Sequence, residues 1–228
     1  MSRSRAAVDA PGGVVDVGHR QKAAVAGTDQ ADREETSPRM AKPVCPCWAG
    51  YFLASPLRKL LQNPRTILAP YVKPGMAVLD VGSAMGFFSL PMAEMVGPGG
   101  RVVCVDVQPK MLAVLHRRAA EAGLTDRIET HVSTENSITL QGREGAFDFT
   151  LAFTMLHEVA DPANFLREIY QLLKPGASLL LTEPVGHVRQ AEFGCTLSLA
   201  ERQGFVLTGR PSIRLSRAAL LTKPAENR

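Results

Sequence analysis

The stretch VLDVGSAMGFFSLPMA, running from Val78 to Ala93, decides the fold. An apolar, β-prone run ends in Asp80-Val81-Gly82, turns through Ser83-Ala84-Met85-Gly86, and continues with helical spacing. Without a Cβ, Gly82 and Gly86 let the backbone turn sharply and come close to a ligand. The helix start presents free N–H groups and a positive dipole end, which suits an anionic group. Dinucleotide loops read Gly-x-Gly-x-x-Gly, whereas here the second glycine position holds Ala84. Its methyl group crowds a pyrophosphate and leaves room for a cofactor without phosphates.

Outward from this loop, strands and helices alternate. Residues 77–81 read as a first strand and 87–96 as a helix that Pro91 should bend. Residues 101–107 (RVVCVDV) form a second buried strand. The helix over 109–122 carries Met111, Leu112, Leu115 and Ala119 on one face and stops at Gly123. Strands follow at 128–132 and 147–153. Asp161-Pro162 caps a helix reaching about Leu173, which Lys174-Pro175-Gly176 ends. A fifth strand spans 178–182 and a helix spans 190–202. Residues 205–209 and 214–222 close the chain as a pair of strands. The pattern predicts an α/β, doubly wound, mostly parallel seven-stranded sheet, with ligands beyond the carboxyl ends of the strands.

Ahead of this domain (76–225), residues 1–40 lack any sustained period and are expected to be a disordered extension. Residues 41–75 are expected to form a helical lid. Within it Ser55-Pro56 and Asn63-Pro64 mark two helix starts, and Cys47, Trp48, Tyr51 and Phe52 supply apolar surface.

The 228 residues are 45 % hydrophobic with a formal charge of +4 and a pI near 9.0. That supports a packed core, and without a clustered basic run it points away from nucleic acid. No segment approaches the ~20 apolar residues of a membrane helix, and no signal-peptide block opens the chain, so the cytoplasm is the expected compartment. Cys45, Cys47, Cys104 and Cys195 read as reduced thiols. Cys45 and Cys47, with no second Cys/His pair, make a poor zinc site, and no metal is expected.

Asp106 supplies the second half of a cofactor site. At the end of strand two a carboxylate can accept hydrogen bonds from both hydroxyls of a ribose. On the segments VKPGMAVLDVGSAMGFFSLPMA, GRVVCVDVQPKML, FDFTLAFTMLHEVADPANFLREIYQLLKPGASLLLTEP and GFVLTGRPSIRLSRAALLTK, the chain resembles class I S-adenosylmethionine-dependent methyltransferases of the small-molecule, quinone-biosynthesis-like type. The opening CPCWAGY resembles a narrower prokaryotic subfamily with a Cys-Pro-x-Trp-x-Gly-Tyr pattern. The resemblance implies a Rossmann-like fold, S-adenosyl-L-methionine as cofactor, and methyl transfer to a small molecule. It places Asp80, Gly82, Ser83 and Gly86 around the methionine part, Asp106 on the ribose and Val107 against the adenine. The adenine-contacting position after strand three falls at Ser133 and Thr134, where related proteins often carry an acid.

A sulfonium is already a good leaving group, so positioning and exclusion of water carry most of the catalysis, with about 7–11 kcal/mol available from alignment alone. A neutral acceptor also needs a base. His157 and Glu158, just past strand four, are the candidates; the alternative is that they are ordinary polar loop residues. Glu183 and His187 follow strand five as further candidate bases, the alternative being a loop hydrogen-bonding role for Glu183 and an ordinary polar loop role for His187. Arg214 and Arg217 read as a solvated strand end. Three other functions stay open. One is a non-catalytic binder of the cofactor; a second is an NAD(P)-dependent oxidoreductase, which the Ala84 methyl group in the glycine loop disfavours. The third is a nucleic-acid methyltransferase, which lacks the Asn/Asp-Pro-Pro-aromatic motif.

Overall fold

The computed structural model describes residues 61–225. The expected extension, the Ser55-Pro56 helix start, and Cys45, Cys47, Trp48, Tyr51 and Phe52 lie outside the described residues. Five helices of that region are α1 (Pro64–Leu68), α2 (Ser89–Val96), α3 (Pro109–Glu121), α4 (Pro162–Leu172) and α5 (Gln190–Arg202). Seven strands are β1 (Ala77–Val81), β2 (Arg101–Asp106), β3 (Ile128–Val132), β4 (Phe147–Phe153), β5 (Leu173–Pro184), β6 (Val206–Gly209) and β7 (Ser216–Thr222).

They form one sheet in the order β3-β2-β1-β4-β5-β7-β6. The first five strands run parallel, and β7 runs antiparallel to both β5 and β6. The order reverses between β1 and β4, so a crevice opens there beyond the strand ends. Both faces are covered. Leu68, Met92, Val96, Leu115 and Ala119 from α1, α2 and α3 meet Val78, Cys104 and Leu151 on one face. Phe165, Ile169, Phe193 and Leu197 from α4 and α5 meet Leu79, Ala152 and Leu181 on the other.

Local chemistry explains the element starts. Asn63 Oδ1 accepts from the Arg65 N–H at 3.0 Å, and Asp161 Oδ1 accepts from the Asn164 N–H at 3.0 Å. In each case proline takes the first helical position, where a missing N–H costs nothing. Pro91 falls in the first turn of α2, so no mid-helix bond is lost there. Ile169→Ala, at a core site of zero exposure, should cost about 2–5 kcal/mol in urea unfolding.

Several boundaries differ from the sequence expectation. Phe87 and Phe88 belong to the turn, and α2 begins at Ser89. The larger difference is β5, which starts at Leu173 and not at Ser178. Leu173 pairs with Phe147, and the register then shifts before Phe149 meets Ser178. Lys174-Pro175-Gly176 therefore sits within the strand at a kink. The Gly176 N–H donates to the Lys223 carbonyl at 2.8 Å, which holds the kinked segment in place.

Candidate active site

Three loops converge at the carboxyl ends of β1, β2 and β3, and Asp106 ties all of them. Its Oδ2 accepts from the Ala84 N–H at 2.9 Å, in the loop after β1. Its Oδ1 accepts from the Gln108 N–H at 2.8 Å, ahead of α3. Its carbonyl accepts from the Ser133 N–H at 3.1 Å, after β3. Burial pushes the Asp106 carboxyl above the usual carboxylate range, and the two backbone N–H groups pull it part of the way back. A carboxylate offers about four lone-pair sites, so two remain after the backbone has been served.

The loop itself is shaped by close packing. Gly82 has φ +72°, and a Cβ there would come within 2.9 Å of the Met155 side chain; Gly86 has φ +81°, with Leu115 Cγ at 2.9 Å from an added Cβ. Ala84 also adopts a left-handed backbone, φ +46°, a conformation that costs an alanine on the order of 1 kcal/mol. The Gly82 and Ser83 N–H groups both donate to the Val105 carbonyl, at 2.8 and 3.0 Å, and the Gly86 N–H donates to the Ser83 carbonyl at 3.0 Å. Arg118 from α3 holds the Met85 carbonyl. The Ser83 hydroxyl is buried and has no hydrogen-bond partner among the described residues.

Asp80 lies beneath this loop, 3 % exposed, and accepts from the Ser89 hydroxyl at 2.5 Å. Burial pushes its carboxyl up to about 7, against the Ser89 bond, which lowers it, with Asp106 adding a smaller upward push. Cys104 is fully buried close by, and burial pushes its thiol well up; Cys195 is exposed. Val107 is half-buried. Thr134 is exposed, and both its N–H and its hydroxyl donate to the Ser137 carbonyl.

Beyond β4 the chain turns at Thr154, φ +55°, whose N–H donates to the Thr182 carbonyl at 2.8 Å. Met155 then packs against Gly82, and the short 3-10 turn Leu156–Glu158 follows. His157 is bound twice by one carboxylate. Its N–H donates to Glu183 Oε1 at 3.0 Å, and its ring Nδ1 sits 2.5 Å from Glu183 Oε2. The Glu183 side chain is 2 % exposed. Glu158 Oε1 lies 3.9 Å from His157 Nε2, and the ring centroid of the exposed His187 is 6.3 Å from that of His157. The structure thus brings His157, Glu158, Glu183 and His187 to one strand edge beside the glycine loop. Sequence reading names Glu183 as a candidate base after strand five; the structure places it at the end of β5, one residue past Thr182, which pairs with Phe153. Arg217 is not a free strand end: it donates to the Val188 carbonyl and to Gln190.

A doubly wound sheet with a carboxylate at the end of β2 and a glycine turn at the end of β1 defines an α/β protein with its ligand crevice beyond the carboxyl ends of the strands. The chain belongs to the Methyltransferase domain family, which it matches over residues 72–203. It is 32 % identical over 130 residues to the arsenite methyltransferase of Aquipseudomonas alcaligenes, covering 55 % of this chain and 38 % of that protein. It is 34 % identical over 113 residues to a ubiquinone biosynthesis O-methyltransferase of Methylocella silvestris, covering 50 % and 41 %. The chain therefore spans about two fifths of the length of these curated relatives. A SAM-dependent methyltransferase from Aquifex aeolicus superposes with a TM-score of 0.71 at 26 % identity, over 79 % of this chain and 100 % of that one. No helix among the described residues is long and apolar enough to cross a membrane.

Proposed function

We propose that the protein transfers a methyl group from S-adenosylmethionine to a small-molecule acceptor. The observation that carries this is the Asp106 hub: one carboxylate organises the three cofactor-facing loops and still keeps two acceptor sites for ribose hydroxyls. In this reading Gly82, Ser83 and Gly86 cradle the methionine part, with Asp80 beneath them, while Val107 and Thr134 flank the adenine. Bound there, the cofactor supplies an electrophilic methyl group and departs as a neutral thioether. His157 and Glu158 stand on the acceptor side, at the end of β4, where His157 takes a proton.

The same loop speaks against a nicotinamide dinucleotide. The N–H groups of Gly82, Ser83, Ala84 and Gly86 already bond inside the protein, so few remain to cradle a pyrophosphate. Thiol-based acceptor chemistry gains nothing from Cys104, which is sealed in the core. The Cys45-Pro46-Cys47-Trp48-Ala49-Gly50-Tyr51 run supports placing the chain in a narrower prokaryotic subfamily, and reduced thiols support a cytoplasmic location.

Titration calorimetry with S-adenosylhomocysteine tests the site. A one-to-one binding heat on folded protein is expected, and no heat refutes the reading. Transfer of labelled methyl groups into a deproteinised metabolite extract then tests the activity.

A further inference from the structure

The mechanism above leaves open which acceptors need this enzyme, and the pair formed by Glu183 and His157 bears on that directly. Resting on the methyl-transfer reading, we infer that Glu183 is a positioning residue that holds His157 as a proton acceptor, and that the natural acceptor enters the site as a neutral phenolic hydroxyl.

The geometry carries this in three steps. An ionised carboxylate only accepts hydrogen bonds, so the 2.5 Å contact between Glu183 Oε2 and His157 Nδ1 puts the donor proton on Nδ1. The neutral ring then presents a lone pair at Nε2, the arrangement a carboxylate imposes on a catalytic imidazole. The second bond, from the His157 backbone N–H to Glu183 Oε1 at 3.0 Å, locks the ring to the same carboxylate through the main chain.

The surroundings fit the same role. Among the described residues, Glu158 lies 3.9 Å from Nε2 and the His187 ring centroid lies 6.3 Å from that of His157. Arg217 is the register partner of Glu183 on β7, yet its guanidinium is engaged by the Val188 carbonyl and Gln190, so Glu183 is committed to the histidine. When His157 becomes protonated, the 2 % exposed carboxylate stabilises the imidazolium.

A base of this kind is superfluous for an acceptor that arrives as an anion, such as a thiolate. It matters for a weakly acidic O–H. There the O–H bond breaks, its electron pair stays on oxygen and forms the new C–O bond, and the proton is held on Nε2 of His157. The methyl carbon's former bonding pair leaves on sulfur, so charge and atoms balance.

Glu183→Gln tests the proposal, because the glutamine side chain can donate to Nδ1 and so favours the opposite tautomer. Nitrogen-15 NMR of histidine-labelled, ligand-free protein is expected to show His157 protonated at Nδ1 in the wild type, shifted toward Nε2 in Glu183→Gln and restored in Glu183→Asp. S-adenosylhomocysteine affinity by calorimetry should change less than twofold in the variant. Labelled methyl incorporation into the metabolite extract should fall about 100-fold near pH 7, with the deficit narrowing above pH 9 as a phenolic hydroxyl, with a pKa of about 10, ionises unaided. A wild-type ring protonated at Nε2, or a variant with an unchanged histidine spectrum, overturns the positioning role. A deficit independent of pH overturns the hydroxyl assignment. Absence of cofactor binding by the wild type refutes the methyltransferase reading instead, leaving the tautomer result standing on its own.

Discussion

Asp106→Ala is expected to remove measurable binding of S-adenosylhomocysteine, an affinity loss of at least about 100-fold. Two hydrogen bonds from ribose hydroxyls to a charged acceptor, at about 1.5–3 kcal/mol each, account for that figure. The sequence alone predicts that the fold is untouched by this change. The structure adds a second effect, since the Ala84 and Gln108 N–H groups lose their acceptor together. Urea unfolding of the ligand-free variant should therefore show a loss of about 1–3 kcal/mol, with the protein still folded at 25 °C. Asp106→Asn keeps the volume and one acceptor oxygen, so it should fall between the two. Unchanged affinity in Asp106→Ala would remove this residue as the ribose ligand.

The second large effect concerns pH. The Asp80 carboxyl titrates near 7 in the folded chain, against an ordinary value of 3.8. Its folded value is raised, so the native state binds the proton more tightly than the unfolded state does. The stabilising contribution is full below about pH 4, declines as the pH rises, and is gone above about pH 7. At 1.36 kcal/mol per pH unit the whole span is worth about 4 kcal/mol. Asp80→Asn keeps an oxygen for the Ser89 hydroxyl and cannot ionise. The stability of the wild type relative to this variant should thus fall by several kcal/mol between pH 4 and pH 7, measured by urea unfolding at each pH. A difference that stays flat across that window would show that Asp80 is not held neutral by burial.

Much of the fold is legible in one dimension, for identifiable reasons. β1, β3, β4 and α5 have the limits that apolar runs and turn residues predict, because each is bounded by a glycine, a proline or a change of period. The buried face of α3 follows from its spacing of Met111, Leu112, Leu115 and Ala119. Lys174-Pro175-Gly176 misleads because its local chemistry is that of a stop, while pairing of Leu173 with Phe147 and of Lys223 with Ala177 draws it into the sheet. The site divides in the same way. Gly82, Gly86 and Asp106 are readable because a motif and a strand end place them. Glu183 is 26 residues from His157 in the chain, and only the adjacency of β4 and β5 joins them. Nor can any local pattern show that Asp106 would serve the Ala84 backbone, since that bond depends on β1 and β2 being neighbours.

The strand order carries a consequence for how the chain assembles. β6 is translated before β7, yet among the described strands its only partner is β7, which also closes the exposed side of β5. During synthesis β5 and β6 must both wait with unsatisfied edges until the segment Ser216–Thr222 leaves the ribosome. Because β7 also supports the far side of β5, which carries Glu183, completion of the Glu183–His157 contact is deferred to the same late moment.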